Sequence, residues 1–138
     1  MNMHELAFAA LAEGTPLGPH VVTVSGGANE RYWRSAGVDH PALAGGALYP
    51  MIAANLTVLC FAATCPEPVI QTRQRVRAHR RVVAGAELIT AGRVVARYEK
   101  RGRVYVDIEA TVATSAEPGV PVWTSEVSFT PVATVGLA

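Results

Sequence analysis

The sequence is poor in lysine and cysteine, has little net charge, and lacks an apolar run long enough to span a bilayer. Eleven of its twelve basic residues are arginine and Lys100 is the only lysine, the bias of a GC-rich, bacterial type of genome, which bears on origin and not on mechanism. A formal net charge of +1 gives no general drive toward nucleic acid or an anionic membrane, so neither is expected as a partner. The longest apolar stretch, Met51 to Ala63, falls short of the ~20 residues a membrane helix needs. The opening MNMHELAFAALAEG shows neither the basic start nor the small-residue cleavage site of a secretory signal, so a cytoplasmic protein is expected. Cys60 and Cys65 lie in or just after the apolar stretch, where a free thiol behaves as a small hydrophobe. Two thiols are too few ligands for a structural metal, and no metal or cofactor is expected.

What is present is a globular composition: 138 residues, half of them apolar, enough for one domain over 1–138 that buries about two thirds of its unfolded surface. No internal repeat, low-complexity segment or linker interrupts it. HVVTVS (20–25) reads as a short strand, and GANERYWRSAG (27–37) as a short helix with Asn29 as cap and Gly37 as stop. Pro50 suits the first turn of a second helix, which Pro66 and Pro68 prevent from continuing. Met51 to Ala63 is apolar almost all round, and such a helix is expected to be buried on every face.

After Pro68 the pattern turns to strands. TRQRVRAH (72–79) alternates arginines. ELITAGRVVARYEK (87–100) and RVYVDIEATVAT (103–114) flank a tight turn in which Gly102 can take positive φ. In the latter, Val104, Val106, Ile108, Ala110 and Val112 share one face, and Arg103, Tyr105, Asp107, Glu109 and Thr111 the other, with Asp107 and Glu109 expected in water. VPVWTSEVSFTPV (120–132) is the last strand. The sum is an α+β chain: one strand, a small helix, a wholly buried helix and a four-strand antiparallel meander. A helix buried by a single sheet requires that sheet to curve around it, which is a hotdog fold; its open sheet edges predict pairing with a second subunit.

RYWRSAGVDHPAL before the buried helix, GGALYPMIAANL entering it, and GAELITAGRVVARYEKRGRVYVDIEATV after a VRAHRRV strand resemble the MaoC-like hydratase/dehydratase family. The resemblance is particularly to the half-domains of (R)-specific 3-hydroxyacyl-thioester dehydratases, over about residues 18–130. The resemblance implies reversible addition of water to an α,β-unsaturated thioester carried by coenzyme A or an acyl carrier protein, in fatty-acid or polyketide metabolism. It implies no cofactor, and a homodimer or a heteromer with a second hotdog subunit. In active members a G-D-x-N-P-x-H loop provides the aspartate and histidine that activate water. Here Gly37 and Pro41 match, but Val38 stands at the aspartate, His40 at the asparagine and Leu43 at the histidine. Neither catalytic residue carries over.

Asp39 and His40 are therefore the candidate catalytic pair: an acid beside an imidazole whose ordinary pKa lies near neutrality, in the loop the family uses. The alternative reading makes Asp39 a turn former before Pro41 and His40 a surface ring. Tyr49, Asn55, Gly45 and Gly46 are candidate substrate-binding residues at the entrance of the second helix. Arg75 and Arg77, with Arg73 and His79 on the same strand face, are candidates for the phosphates of a pantetheine arm, or they form a solvated face. Three functions stay open: a (de)hydratase or lyase, a non-catalytic subunit that completes a partner's pocket, and a repurposed isomerase or cyclase. A thioesterase is disfavoured, because no carboxylate lies between Met51 and Ala63.

Overall fold

The structure, a computed structural model, describes residues 5–37, 40–41 and 45–132. Its elements run from a 3₁₀ turn, Phe8–Ala10, to β1 (Pro16–Thr23), α1 (Gly26–Ser35), α2 (Ile52–Thr64), β2 (Val69–Ala78), β3 (Glu87–Lys100), β4 (Arg103–Thr114) and β5 (Trp123–Pro131). The five strands form one antiparallel sheet in the order β1-β3-β4-β5-β2. Val106, Ile108, Ala110 and Val112 turn inward from β4 and are buried, as their alternation requires. The β3–β4 turn is two residues, Arg101 at φ 55 and Gly102 at φ 76, the paired left-handed geometry that matches strand twist. The opposite face is not uniformly wet. Asp107 is half-buried and accepts hydrogen bonds from Tyr98 Oη at 3.0 Å and Ser128 Oγ at 2.6 Å.

Two expectations are corrected. The strands after α2 are not a four-strand meander: β3, β4 and β5 are, whereas β2 crosses to the far edge and pairs with β5. Alternate charged side chains suit β2 to an edge, where they oppose further strand pairing. The second correction concerns α2, which is not buried on every face. Ile52, Ala53, Leu56, Thr57, Cys60 and Phe61 are buried against the sheet, but Met51 is 46 % and Leu59 50 % exposed, with Asn55, Ala62 and Ala63 also open. One sheet covers one side of a helix, and the apolar residues on the other side have no cover within the described residues.

The core has two large apolar clusters, which α2 bridges, and a small third one around Trp33 and Ala47. Leu88, Val112, Val122 and Trp123 lie under its N-terminal half, with Ile52 and Leu56. Val94, Val106, Ile108, Val127 and Phe129 lie under its C-terminal half, with Cys60 and Phe61; the Phe61 and Phe129 rings stack at 4.2 Å. Between them runs a register row of small residues, Gly92, Ala110 and Ser125. A Cβ at Gly92 would fall 2.2 Å from the carbonyl oxygen of Glu109, so that position admits no side chain. None of the described helices is long and apolar enough to cross a membrane.

Candidate functional site

The helix α1 builds one wall of the site. Ser25, not Asn29, caps it: Ser25 Oγ accepts from the Ala28 N–H at 3.1 Å. Asn29 lies one turn inside, 2 % exposed, and its side chain is committed elsewhere. Its Nδ2 donates to the Ala47 carbonyl at 2.9 Å and its Oδ1 accepts from the Tyr49 N–H at 2.9 Å. Four residues on, and so on the same helix face, Trp33 Nε1 donates to the same Ala47 carbonyl at 2.9 Å. Helix α1 thereby clamps the segment that leads into α2. From the other side that segment is held by a bridge between Ala47 and Val83, with Leu48 N–H donating to the Val82 carbonyl at 2.8 Å.

Between these walls opens a cavity of about 400 Å³, bordered by Trp33, His40, Leu48, Arg80, Arg81 and Trp123 among others. It lies within the usual size range of small-molecule sites. The His40 ring stacks on the Trp33 indole, with centroids 5.8 Å apart and planes 16° apart. Tyr49 meets the indole at 5.0 Å and 57°. Pro50 also borders the cavity, which brings the N-terminal end of α2 to its wall. Two arginines, Arg80 and Arg81, also border the cavity. Arg80 is half-buried and pairs with Glu117 at 3.5 Å, and its buried Nε has no hydrogen-bond partner among the described residues. Arg81 is exposed.

The candidate residues are thus distributed unevenly. His40 borders the cavity and Tyr49 backs it; Asp39 lies outside the described residues. Gly46 precedes the clamped segment at φ +73, with Gly45 exposed beside it. Asn55 is on the open face of α2, where its Nδ2 donates to Tyr32 Oη at 2.9 Å. Arg75 and Arg77 are exposed on the sheet face turned away from α2, in register with Glu126 and Thr124, and Arg75 reaches Glu126 at 4.0 Å. His79 bonds Thr124 Oγ1 at 2.9 Å and borders the same cavity as His40. The structure brings neither Arg75 nor Arg77 to that cavity. The residues that sequence reasoning missed are Trp33, Asn29, Arg80 and Arg81. The i, i+4 spacing of Asn29 and Trp33 was the available signal.

Neither thiol is poised as a nucleophile. Cys60 and Cys65 are free and buried. Burial pushes the Cys60 thiol up to about 11, far from the thiolate a nucleophile needs, and raises that of Cys65 as well. Among the described residues no group of three or more His, Cys, Asp and Glu could hold a metal ion. The arrangement offers two imidazoles, His40 and His79, and two arginines, Arg80 and Arg81, at the border of a largely apolar cavity.

No family model matches the sequence, and no curated protein matches it. Solved structures do match the fold. An (R)-hydratase from Pseudomonas aeruginosa superposes with a TM-score of 0.74 at 19 % identity, over 92 % of this chain and 86 % of that one. A MaoC-like dehydratase from Rhodospirillum rubrum gives 0.74 at 15 % identity, over 91 % and 96 %. The HadBC (3R)-hydroxyacyl-ACP dehydratase complex of Mycobacterium tuberculosis gives 0.72 at 18 % identity, over 86 % and 96 %. The chain has the hotdog fold that these hydratases and dehydratases share.

Proposed function

We propose that the chain is a single MaoC-like hotdog domain that hydrates or dehydrates an acyl thioester of coenzyme A or an acyl carrier protein, with His40 as its proton carrier. The observation that carries this reading is the placement of His40: its imidazole stacks on Trp33 at the border of the cavity, in the loop where the family holds its catalytic residues. One imidazole suffices for the balance of the reaction. It takes a proton from water as the oxygen adds to Cβ of the unsaturated acyl group, and returns it to Cα as the enolate collapses; dehydration runs the same steps backwards. The negative charge that grows on the thioester oxygen is stabilised by the dipole of α2, whose N-terminal end borders the cavity at Pro50; the Ile52, Ala53 and Ala54 N–H groups already donate to the Tyr49, Pro50 and Met51 carbonyls. Arg80 and Arg81, which border the cavity, meet the anionic arm of the carrier on this reading. Asp39 polarises the imidazole or orients it.

The test is an assay with a crotonyl-type thioester. His40→Ala should lower the rate by about 10²-fold while the melting temperature stays nearly unchanged, and Asp39→Asn should do less in the same direction. Full activity in His40→Ala would remove the imidazole from the mechanism.

A second reading is favoured by two specific observations: Val38 and Leu43 stand where the family's aspartate and histidine belong, and HadBC is a complex of two chains. On this reading the chain is a non-catalytic subunit whose partner brings the intact loop. No turnover by the purified chain, restored on mixing with such a partner, would decide for it.

A further inference from the structure

We infer that Trp33 is a positioning residue, a fixed indole platform that sets the orientation of the His40 ring at the cavity. This rests on His40 being the proton carrier. The indole is 6 % exposed and held on several sides: Nε1 bonds the Ala47 carbonyl at 2.9 Å, Tyr49 packs against it at 5.0 Å, and His40 stacks on it at 5.8 Å. It cannot rotate without leaving a buried N–H unpaired, an outcome proteins avoid. The carbonyl that anchors it is itself fixed, because Asn29 donates to it at 2.9 Å and Ala47 bridges to Val83. A proton donor must be within hydrogen-bond reach of its acceptor, so the orientation of the His40 ring matters to the step. Stacking on a rigid partner biases the ring by about two- to tenfold, and it holds one edge of the imidazole toward the cavity. Orientation thus passes from the core to the reacting group through the chain Asn29, Ala47, Trp33 and His40.

Two measurements test this on the whole chain. The first does not use activity. The sequence has four histidines, His4, His20, His40 and His79, and His40→Gln assigns the His40 signals in a proton spectrum. The indole ring current should place the carbon-bound ring protons of His40 upfield, and Trp33→Leu should return them to ordinary positions. Identical His40 positions in both chains would overturn the stack. Trp33→Phe keeps a ring face but loses the Nε1–H donor. It should retain part of the upfield shift, and it serves if the leucine variant does not fold.

The second measurement is a double-mutant cycle. Trp33→Leu should lower kcat about tenfold in the parent chain, and should cost nothing further in a His40→Ala background. An equal loss in both backgrounds would show that Trp33 acts as a wall or a prop and not through His40. Full activity of His40→Ala would sink the proton-carrier reading and the catalytic half of this inference, whereas an unshifted His40 signal sinks the stack itself.

Discussion

Cys60 sits in the second half of α2, 1 % exposed, with its sulfur 3.5 Å from the Thr90 carbonyl oxygen. Burial raises its thiol from an ordinary 9.0 to about 11. The unfolded chain therefore releases this proton at lower pH than the native one. Below pH 9 the group makes no difference to stability; as pH rises from 9 toward 11 the ionised unfolded state gains and the native state loses. The loss should be on the order of 2 kcal/mol in urea unfolding near the upper end of that window. Cys60→Ala should flatten that fall, and an equal decline in the variant would locate it in other groups. The residue scale also shows what the sequence could say about the site. The place of His40 beside the helix entrance, where it borders the cavity, was legible because its loop precedes a recognisable helix. Trp33 and Asn29 were legible only as members of α1, since their roles depend on a carbonyl at Ala47, a long-range contact that no local pattern reports.

At the scale of elements, β3 and β4 appear in the structure over the residue ranges read from the sequence, because strict alternation and a Gly-containing turn define both ends. The place of β2 was not legible: strand order is a matter of which long-range pairs form, and TRQRVRAH carries no mark of its neighbour. The burial of α2 was half legible. Its composition has the period of no single face, so hydrophobicity alone could not tell which side meets the sheet. The structure makes the two sides separable by mutation. Leu56 is 3 % exposed under the sheet, and Leu56→Asp buries an unpaired carboxylate at a cost of several kcal/mol, comparable to the stability of a small domain. It should abolish the cooperative thermal transition. A soluble Leu56→Asp chain with a normal melt would mean that α2 does not sit on the sheet as described.

For the whole molecule the open side of α2 becomes the question. Met51 and Leu59 are about half exposed and are joined there by Ala62 and Ala63; Asn55, the polar member of this face, spends its Nδ2 on Tyr32. The sheet also ends in two edges, β1 and β2; arginines guard β2, and Pro16, Pro19 and a register shift guard β1. The apolar helix face therefore favours association over solvation. We therefore expect a homodimer, or a pair with a second hotdog chain, in solution. Light scattering at micromolar concentration should give about twice the mass of the chain, or a stable heteromer when a partner is co-expressed. Leu59→Asp is the decisive companion. At 50 % exposure it can place its carboxylate in water in the isolated chain, so it should leave the cooperative melt in place. In an assembly that covers this face the same carboxylate would be buried unpaired, and association should weaken by tenfold or more. A chain that is monomeric before the substitution, with no partner to bind, would show that α2 keeps its apolar face in water. A dimer indifferent to Leu59→Asp would move the interface to the sheet edges and away from the helix.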